Sequence, residues 1–351
     1  MPGTLLISDL HIGSRAYGGV LEQPEPLERL LEAVGRHERL VLLGDALEIA
    51  EAKTENAMAA AEPIFRAIGA TLGAGRTVLL VPGNHDHDLV RGWALAQGES
   101  LTPDSLVPVD SSPLLERIAG WLGPANVEIR YPGVWLSDTV WATHGHYLDR
   151  FLIPVSTWGL LGGRRPQPAG VPPCDHERFL RGGRDQIIQM MRWLPRPLAS
   201  GLEDLSELLR AETMPQLQRR ILHHRLAPVT AHALGIQMRR HSLPAIARVV
   251  HGLGIEPEFV VFGHVHRLGP LAGDNPEEWR FVRGTSATDF LNTGSWRYER
   301  LLLHGARPPH PYWPGGAVSL DDGDPPRAVG LLDDLGVDQL QPSAVARRGT
   351  H

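Results

Sequence analysis

One segment of the chain reads Val78-Leu79-Leu80-Val81-Pro82-Gly83-Asn84-His85-Asp86, an apolar run joined directly to a polar cluster. The apolar residues predict a buried strand, and Pro82-Gly83 predicts the turn that ends it. The Asn, His and Asp side chains that follow are of the kinds that bind metal ions. This segment therefore predicts a strand that delivers metal ligands to one edge of a sheet.

Further clusters of the same kind each follow an apolar run. They are Asp9-Leu10-His11, Gly44-Asp45, His144-Gly145-His146 and Gly263-His264-Val265-His266. Helical patterns separate the first strands, which predicts an α/β protein with a largely parallel central sheet. Because the carboxyl ends of parallel strands meet at one edge of a sheet, we expect the clusters to come together there. Together they can assemble a site for two metal ions.

The pattern of apolar residues also places other elements. Residues 26–38 and 57–72 have apolar side chains at helical spacing. Val127 to Tyr131 and Val134 to Ala142 flank Pro132-Gly133 and predict a hairpin. Later strands are predicted at Glu258 to Phe262, Trp279 to Val282, Phe290 to Thr293, Tyr298 to Leu303, Ala317 to Leu320 and Ala328 to Leu332.

The chain divides by composition into a core, an insertion and a tail. Residues 1–150 and 251–335 carry the predicted strands and form the two parts of the core. Residues 151–250 change to helical patterns separated by Gly, Pro and Arg, which predicts a helical insertion or lid. Residues 336–351 predict a loose tail.

Charge is unevenly spread along the chain. Its 351 residues carry a net charge of −6, but residues 151–250 hold 14 Arg and 7 acidic residues, a balance of +7. A basic segment in an acidic protein favours an anionic partner. Two interpretations stay open: a lid that packs its apolar face on the core, or a surface that contacts a membrane and admits a lipid-linked substrate. The acidic core lacks the broad basic face expected for nucleic-acid binding.

Cysteine usage and hydropathy bear on the compartment. The single cysteine, Cys174, excludes an internal disulfide and fits a reducing compartment. No signal peptide, with its basic region followed by an apolar core, is visible before the first strand. No apolar stretch reaches the ~20 residues that span a bilayer. We therefore expect a cytoplasmic protein, with peripheral membrane contact through the basic insertion as an alternative location.

In their order along the chain, the clusters resemble the calcineurin-like metallophosphoesterase superfamily, whose pattern is D-x-H, GD-x-x-D, GNH[D/E], a strand-end His and GH-x-H. The resemblance covers residues 4–146 and 258–304. It implies a four-layer α/β/β/α sandwich with a helical insertion. It also implies hydrolysis of a phosphate monoester or diester, by in-line attack of a hydroxide that bridges two metal ions.

The resemblance implies a division of the ligands between two divalent metal ions. One ion would be bound by Asp9, His11 and His266, the other by Asn84, His144 and His264, and Asp45 would bridge the two. Neutral imidazole combined with carboxylate suits Mn, Fe or Zn. We expect Mn.

The resemblance also assigns residues to the chemistry. His85 would face the substrate phosphate and stabilise the transition state or protonate the leaving oxygen. Glu48 would orient His85, and it stands where the family has Asp, so its carboxylate is one methylene further from the backbone. His146 and Arg15 are expected to contact the substrate. The alternatives are a surface histidine without a role and a solvated arginine.

Within the superfamily, the chain is distantly similar to bacterial UDP-2,3-diacylglucosamine hydrolases, which share the core, carry a helical lid and have Glu at the position of Glu48. They have Arg at the position of His85 and an acidic residue at that of His146. These departures favour a different phosphomonoesterase or phosphodiesterase acting on a phosphorylated small molecule. The alternatives are a pyrophosphatase of nucleotide-sugar lipids at a membrane and a binding scaffold of the same fold without catalysis.

Overall fold

The computed structural model describes residues 3–14, 18–50, 52–152, 170–181, 238–303, 305–321 and 323–340. The strands are β1 Thr4–Ile7, β2 Gly18–Gly19, β3 Arg39–Leu42, β4 Thr77–Leu80, β5 Ser105–Leu106, β6 Asn126–Tyr131, β7 Gly133–Trp135, β8 Val140–Thr143, β9 Phe259–Phe262, β10 Arg280–Arg283, β11 Ser286–Asn292, β12 Arg297–Tyr298, β13 Gly316–Leu320 and β14 Arg327–Gly330. The helices are α1 Pro24–Gly35, α2 Thr54–Leu72, α3 Arg91–Gln97, α4 Pro113–Leu122, α5 Asp149–Leu152, α6 at residues 173–181, α7 Leu243–Gly252, α8 Arg300–Leu303 and α9 Val337–Leu340.

Two sheets form the centre of the protein. The first has the strand order β14-β13-β1-β3-β4-β6-β5, in which β1, β3, β4 and β6 run parallel. The second has the order β10-β11-β9-β8-β7, in which β8, β9 and β11 run parallel. Strands β2 and β12 pair separately.

Alternating side chains of these strands face different layers. In β1, Leu5 and Ile7 face the helices outside the first sheet, whereas Leu6 lies in the apolar core between the sheets. In β9, Val261 lies between the sheets and Phe262 faces outward. Helices α1, α2 and α4 cover the first sheet, and α7 covers the second. The four-layer α/β/β/α sandwich is therefore confirmed.

The predicted hairpin around Pro132-Gly133 is wrong. Strand β6 pairs in parallel with β4 in the first sheet, whereas β7 pairs with β8 in the second. The chain therefore crosses between the sheets at Pro132, and β7 and β8 form the hairpin. Its turn is held by Ser137 Oγ, which accepts hydrogen bonds from the backbone N–H groups of Thr139 at 3.3 Å and Val140 at 3.1 Å.

Two other predictions are corrected near the carboxyl end. Residues 298–303 do not form one strand, because β12 ends at Tyr298 and the apolar residues that follow belong to the short helix α8. A short apolar run fits a strand and a buried helical turn equally well. Within the predicted loose tail, Val337–Leu340 forms the helix α9 instead, and its Leu340 is fully buried in the core. Residues 341–351 lie outside the described residues.

The described parts of the insertion are mainly helical. Helix α6 lies within it, and Met238–Ser242 forms a π-helical turn that leads into α7. Because α7 covers the second sheet, the end of the predicted insertion contributes to the outer layer of the core. Most of the basic segment lies outside the described residues. Within the described ranges, no helix combines the length and apolarity needed to cross a membrane.

Candidate metal centre

The polar clusters meet at one edge of both sheets. Within the first sheet, the Asp9 N–H donates to the Gly44 carbonyl oxygen at 3.0 Å and the His11 N–H to the Asp45 carbonyl oxygen at 2.9 Å. In the second sheet, the Gly263 N–H donates to the His144 carbonyl oxygen at 2.9 Å. The parallel register therefore continues past the strand ends and brings the clusters side by side.

Backbone conformation marks the same residues. Asp9, His11, Asp45, His264 and His266 have φ angles of 55°, 44°, 51°, 68° and 56°. No other non-glycine residue in the described part of the chain has a positive φ. Such residues are uncommon, and each costs of the order of 1–3 kcal/mol unless its surroundings require it. The strain is thus confined to predicted metal ligands.

Glycines in the clusters make room for ligand side chains. A Cβ atom on Gly83 would lie 2.3 Å from Asp45 Oδ1, and one on Gly44 would lie 2.4 Å from the His144 ring. Gly44 also has a φ of 83°, which an L side chain rarely adopts. The Gly-Asp and Gly-Asn pairs of the sequence therefore reflect close packing of backbone against ligands.

Asp9, His11 and His266 form the first group of ligand atoms, all within 4.8 Å of one another. Asp9 Oδ1 lies 3.1 Å from His266 Nε2 and 3.9 Å from His11 Nε2. It is buried and accepts no hydrogen bond of ordinary geometry. The two ring nitrogens approach each other to 3.4 Å. A buried oxygen and two ring nitrogens that converge without a shared partner fit a cation between them.

Asp45, His144 and His264 form the second group, also within 4.8 Å. Asp45 Oδ2 lies 3.2 Å from His144 Nε2 and 3.9 Å from His11 Nε2, so the carboxylate stands between the two groups. Asn84 Oδ1 is 3.1 Å from His144 Nε2. The structure thus brings Asp45, Asn84, His144 and His264 together, and their division between two metal ions stays a prediction.

Each histidine of the two groups has a contact that holds one of its ring nitrogens. The pairs are His11 Nδ1 with Glu48 Oε2 at 2.9 Å, His144 Nδ1 with the Leu43 carbonyl oxygen at 2.9 Å, His264 Nε2 with Asp149 Oδ1 at 2.9 Å, and His266 Nδ1 with Glu299 Oε1 at 3.5 Å. This is how proteins orient imidazole ligands of metal ions. Asp149 and Glu299 were not predicted, because neither belongs to a motif.

The charges in the centre perturb one another strongly. Burial raises the pKa of Asp9 and Asp45, but the surrounding imidazoles outweigh it and lower the pKa of Asp9 to about 2 and that of Asp45 well below its usual range. Burial lowers the pKa of His144 and His266, but the same carboxylates raise these values to about 10 and about 9. Divalent cations would therefore compete with protons for these ring nitrogens.

Glu48 joins two histidines. Besides its contact with His11, its Oε1 lies 2.8 Å from His85 Nδ1. Burial raises the pKa of Glu48, but hydrogen bonds with His11 and His85 outweigh this effect and lower it to about 2. These three residues form a third group of possible ligand atoms. The hydrogen bonds of Glu48 with both rings account for the short distances between these ligand atoms without a metal ion.

Asp86 fixes the loops that carry the ligands. Its Oδ1 accepts backbone hydrogen bonds from Gly83 at 2.6 Å and Asp45 at 3.3 Å. Its Oδ2 accepts from Ala46 at 2.8 Å and Leu47 at 3.3 Å. Burial and the nearby Asp45 carboxylate raise the pKa of Asp86 to about 6.

A second polar cluster lies behind His144 and was not predicted. Glu177 of α6, 3% exposed, accepts hydrogen bonds from Tyr131 and Tyr147, each at 2.6 Å, and lies 3.0 Å from His87 Nε2. Tyr131 also contacts His146 Nε2 at 3.1 Å. His146 is buried here, and its contact with substrate stays a prediction. Arg15 lies outside the described residues.

Comparison with known proteins agrees with this geometry. No curated protein matches the chain significantly. Residues 4–268 match the family described as calcineurin-like phosphoesterase, so the match takes in both groups of ligand atoms. Because it covers well over half of the sequence, the chain belongs to the calcineurin-like phosphoesterase family.

Proposed function

We propose that the protein is a dinuclear-metal phosphoesterase that hydrolyses a phosphate monoester or diester. The observation that carries this proposal is the position of Asp45 Oδ2, 3.2 Å from His144 Nε2 and 3.9 Å from His11 Nε2, between two groups of ligand atoms. A carboxylate has two oxygens and can serve two cations at once. When bound, two divalent ions activate water and neutralise phosphoryl oxygens.

The residues around the ligands have separate tasks in this proposal. The His85 side chain is 22% exposed, and Glu48 contacts its Nδ1. We assign to His85 Nε2 the role of donor to a phosphoryl oxygen or to the leaving oxygen. The His85 backbone N–H donates to Asp45 Oδ1 at 2.8 Å and so orients the bridging carboxylate. Family membership and the two ligand groups support these roles.

Metal analysis and hydrolysis of an aryl phosphate test the proposal together. We expect two divalent ions per chain, with Mn the best activator and Fe or Zn as alternatives. Asp45→Asn should lower the metal content and abolish turnover, because it removes the shared ligand. If the wild-type protein binds no metal and has no activity with Mn supplied, the non-catalytic scaffold becomes the better interpretation.

The substrate class is a separate part of the proposal. The departures at His85 and His146 favour a phosphorylated small molecule in a cytoplasmic setting over UDP-2,3-diacylglucosamine. A panel of monoesters, diesters, cyclic nucleotides and nucleotide diphosphate sugars with Mn would identify the class. The lipid-linked alternative rests on the basic residues of the insertion, and flotation with anionic liposomes at low salt tests it, because absence of binding would exclude a membrane-facing lid.

A further inference from the structure

Two buried hydroxyl groups meet beside the first group of ligand atoms. Ser8 follows β1 of the first sheet, and Thr293 follows β11 of the second. Ser8 Oγ and Thr293 Oγ1 lie 2.5 Å apart, and both residues are fully buried. The Thr293 N–H donates to the Phe262 carbonyl oxygen at 3.0 Å, which continues the pairing of β11 with β9 past the strand end. The hydroxyl pair therefore joins the two sheets next to the predicted ligand Asp9.

The protons of this hydroxyl pair run in one direction. The Ser8 hydroxyl donates to Asp9 Oδ2, and it has no second proton to give. Ser8 Oγ is therefore the acceptor in its contact with Thr293, whose hydroxyl is the donor. The result is a chain of hydrogen bonds from Thr293 through Ser8 to the Asp9 carboxylate.

Asp9 Oδ2 has a second donor as well. The His264 backbone N–H donates to it at 3.0 Å. A carboxylate oxygen has two lone pairs, so the hydrogen bonds from Ser8 and His264 occupy both acceptor positions of Oδ2. Oδ1 is the oxygen left for a cation, and it faces His266 Nε2 at 3.1 Å and His11 Nε2 at 3.9 Å.

The surroundings of Asp9 leave this arrangement little room to change. A Cβ atom on Gly263 would lie 2.4 Å from Ser8 Oγ and 2.7 Å from Asp9 Oδ2, so glycine is required beside the pair. The segment after β11 also holds the Asp9 backbone, whose carbonyl oxygen accepts from the Trp296 N–H at 3.1 Å and from Ser295 Oγ at 3.4 Å. These contacts hold Asp9 at its φ of 55°.

We propose that Ser8 is a positioning residue of the metal centre: held by Thr293, it fixes the Asp9 carboxylate so that Oδ1 is the oxygen available to a metal ion. This inference rests on the proposed dinuclear phosphoesterase function and adds to it two residues that themselves bind no metal. Hydrogen bonds of this kind orient metal ligands, and their loss weakens metal binding. The inference also gives a task to the turn after β11, which contacts both the side chain of Ser8 and the backbone of Asp9.

The test compares the Mn affinity of three variants with that of the wild type, by calorimetric titration of the metal-free proteins. Ser8→Ala removes a donor to Asp9 Oδ2 and should raise the Kd of one of the two Mn ions about 10- to 100-fold. Thr293→Val removes only the hydroxyl that holds Ser8 and should raise the same Kd about 2- to 10-fold. Thr293→Ser keeps the hydroxyl and should bind Mn as the wild type does.

Electron paramagnetic resonance of the Mn-loaded proteins gives a second readout, which a loss of packing alone would not change. With two Mn ions supplied per chain, the wild type should show the coupled signal of a Mn pair. Ser8→Ala should show the signals of isolated and free Mn instead, because one of its two sites is then only partly filled.

Thr288→Val is the matched control. Thr288 also belongs to β11, and its Oγ1 donates to the Pro257 carbonyl oxygen at 2.8 Å. The replacement removes a hydroxyl hydrogen bond from the same strand away from the metal centre, so both Mn Kd values should stay unchanged. If Ser8→Ala does not fold, Thr293→Val carries the test, because it leaves Ser8 in place.

The outcomes separate this inference from the proposed function. Wild-type Mn Kd values in the folded Ser8→Ala and Thr293→Val variants would overturn the inference and leave the phosphoesterase proposal intact, since the two hydroxyls would then only join the sheets. Equal weakening of Mn binding in Thr293→Val and Thr293→Ser would overturn the part assigned to the Thr293 hydroxyl. A wild type that binds two Mn ions without hydrolysing any ester would contradict the proposed function instead, and the Kd comparison would still test Ser8. A wild type that binds no Mn would contradict both.

Discussion

Glu48 Oε1 lies 2.8 Å from His85 Nδ1, and this contact links the metal centre to the residue proposed to act on the substrate. The other carboxylate oxygen lies 2.9 Å from His11 Nδ1. One side chain therefore orients a predicted metal ligand and a predicted catalytic group together. The extra methylene of Glu relative to Asp is compatible with both contacts, so Glu48 contacts His85 despite the departure from the family pattern at this position.

Glu48→Gln should lower kcat about 10- to 100-fold, which is the usual effect of removing a partner of a metal-bound histidine. The amide can accept from only one of the two rings, so either His11 or His85 loses its anchor. Glu48→Asp is the matched variant, because it keeps the negative charge but its shorter side chain contacts one of the two rings less closely. Steady-state kinetics with metal titration would check this. Wild-type kcat in both variants would contradict the orienting role.

His85→Asn should lower kcat about 10²- to 10⁴-fold while the bound Mn content stays at the wild-type level. The reason is that His85 belongs to neither of the two groups that contain Asp9 and Asp45, and we assign its ring to the substrate instead of to a metal ion. Kinetics and elemental analysis of the same preparation give both readouts. A parallel loss of Mn would instead assign His85 to metal binding.

The meeting of the candidate ligands at one edge was predictable because it depends on local features. A parallel strand that ends in Gly-Asp or Gly-Asn delivers its polar residues to a known edge, and short spacings such as His264-Val265-His266 stay within one loop. The hairpin between β6 and β7 was mispredicted for a related reason. Apolar runs indicate that a strand is buried, but they do not indicate which of two stacked sheets contains it.

The partners of the ligands were not predictable from spacing. Asp149 and Glu299 reach the centre from a short helix and from the loop after β12, and Glu177 reaches the neighbouring cluster of Tyr131, Tyr147 and His87 from the insertion. Acidic residues are common on such segments, and only the packing of four layers brings these three next to histidines. A sequence therefore indicates the candidate metal ligands more readily than it indicates the residues that orient these ligands.

Asp86→Asn should lower the free energy of unfolding by about 2–4 kcal/mol. The two Asp86 oxygens accept from four backbone N–H groups, and an asparagine amide would turn a donor towards two of them. Chemical denaturation of the metal-free protein would measure the change. Asp324→Asn, in an exposed turn, is the control and should change stability by less than about 0.5 kcal/mol. Equal stability of the two variants would contradict the bracing role of Asp86.

Glu177 variants should show how firmly α6 is held on the core. Glu177→Leu leaves the hydroxyls of Tyr131 and Tyr147 without an acceptor and should cost about 3–5 kcal/mol. Glu177→Gln keeps the oxygen that both hydroxyls contact and should cost about 1–2 kcal/mol. Thermal unfolding of the two variants would check the order. A leucine variant as stable as the wild type would show that these hydrogen bonds do not anchor the helix.

His176 should make the protein less stable in mild acid. It is 1% exposed and stacks on Tyr147 with ring centres 4.5 Å apart, and burial, aided by the Arg150 charge, lowers its pKa to about 4. The unfolded chain takes up this proton near pH 6.5, whereas the folded protein resists it down to about pH 4. Between these values protonation favours the unfolded state, so the free energy of unfolding falls as the pH is lowered. This residue contributes up to about 1.4 kcal/mol per pH unit to that decrease.

His176→Phe keeps the stacked ring and removes the titration, so unfolding free energies measured from pH 7.5 to 5 should decline less steeply than in the wild type. Equal slopes for the two proteins would show that His176 takes its proton as readily in the folded state as in the unfolded chain.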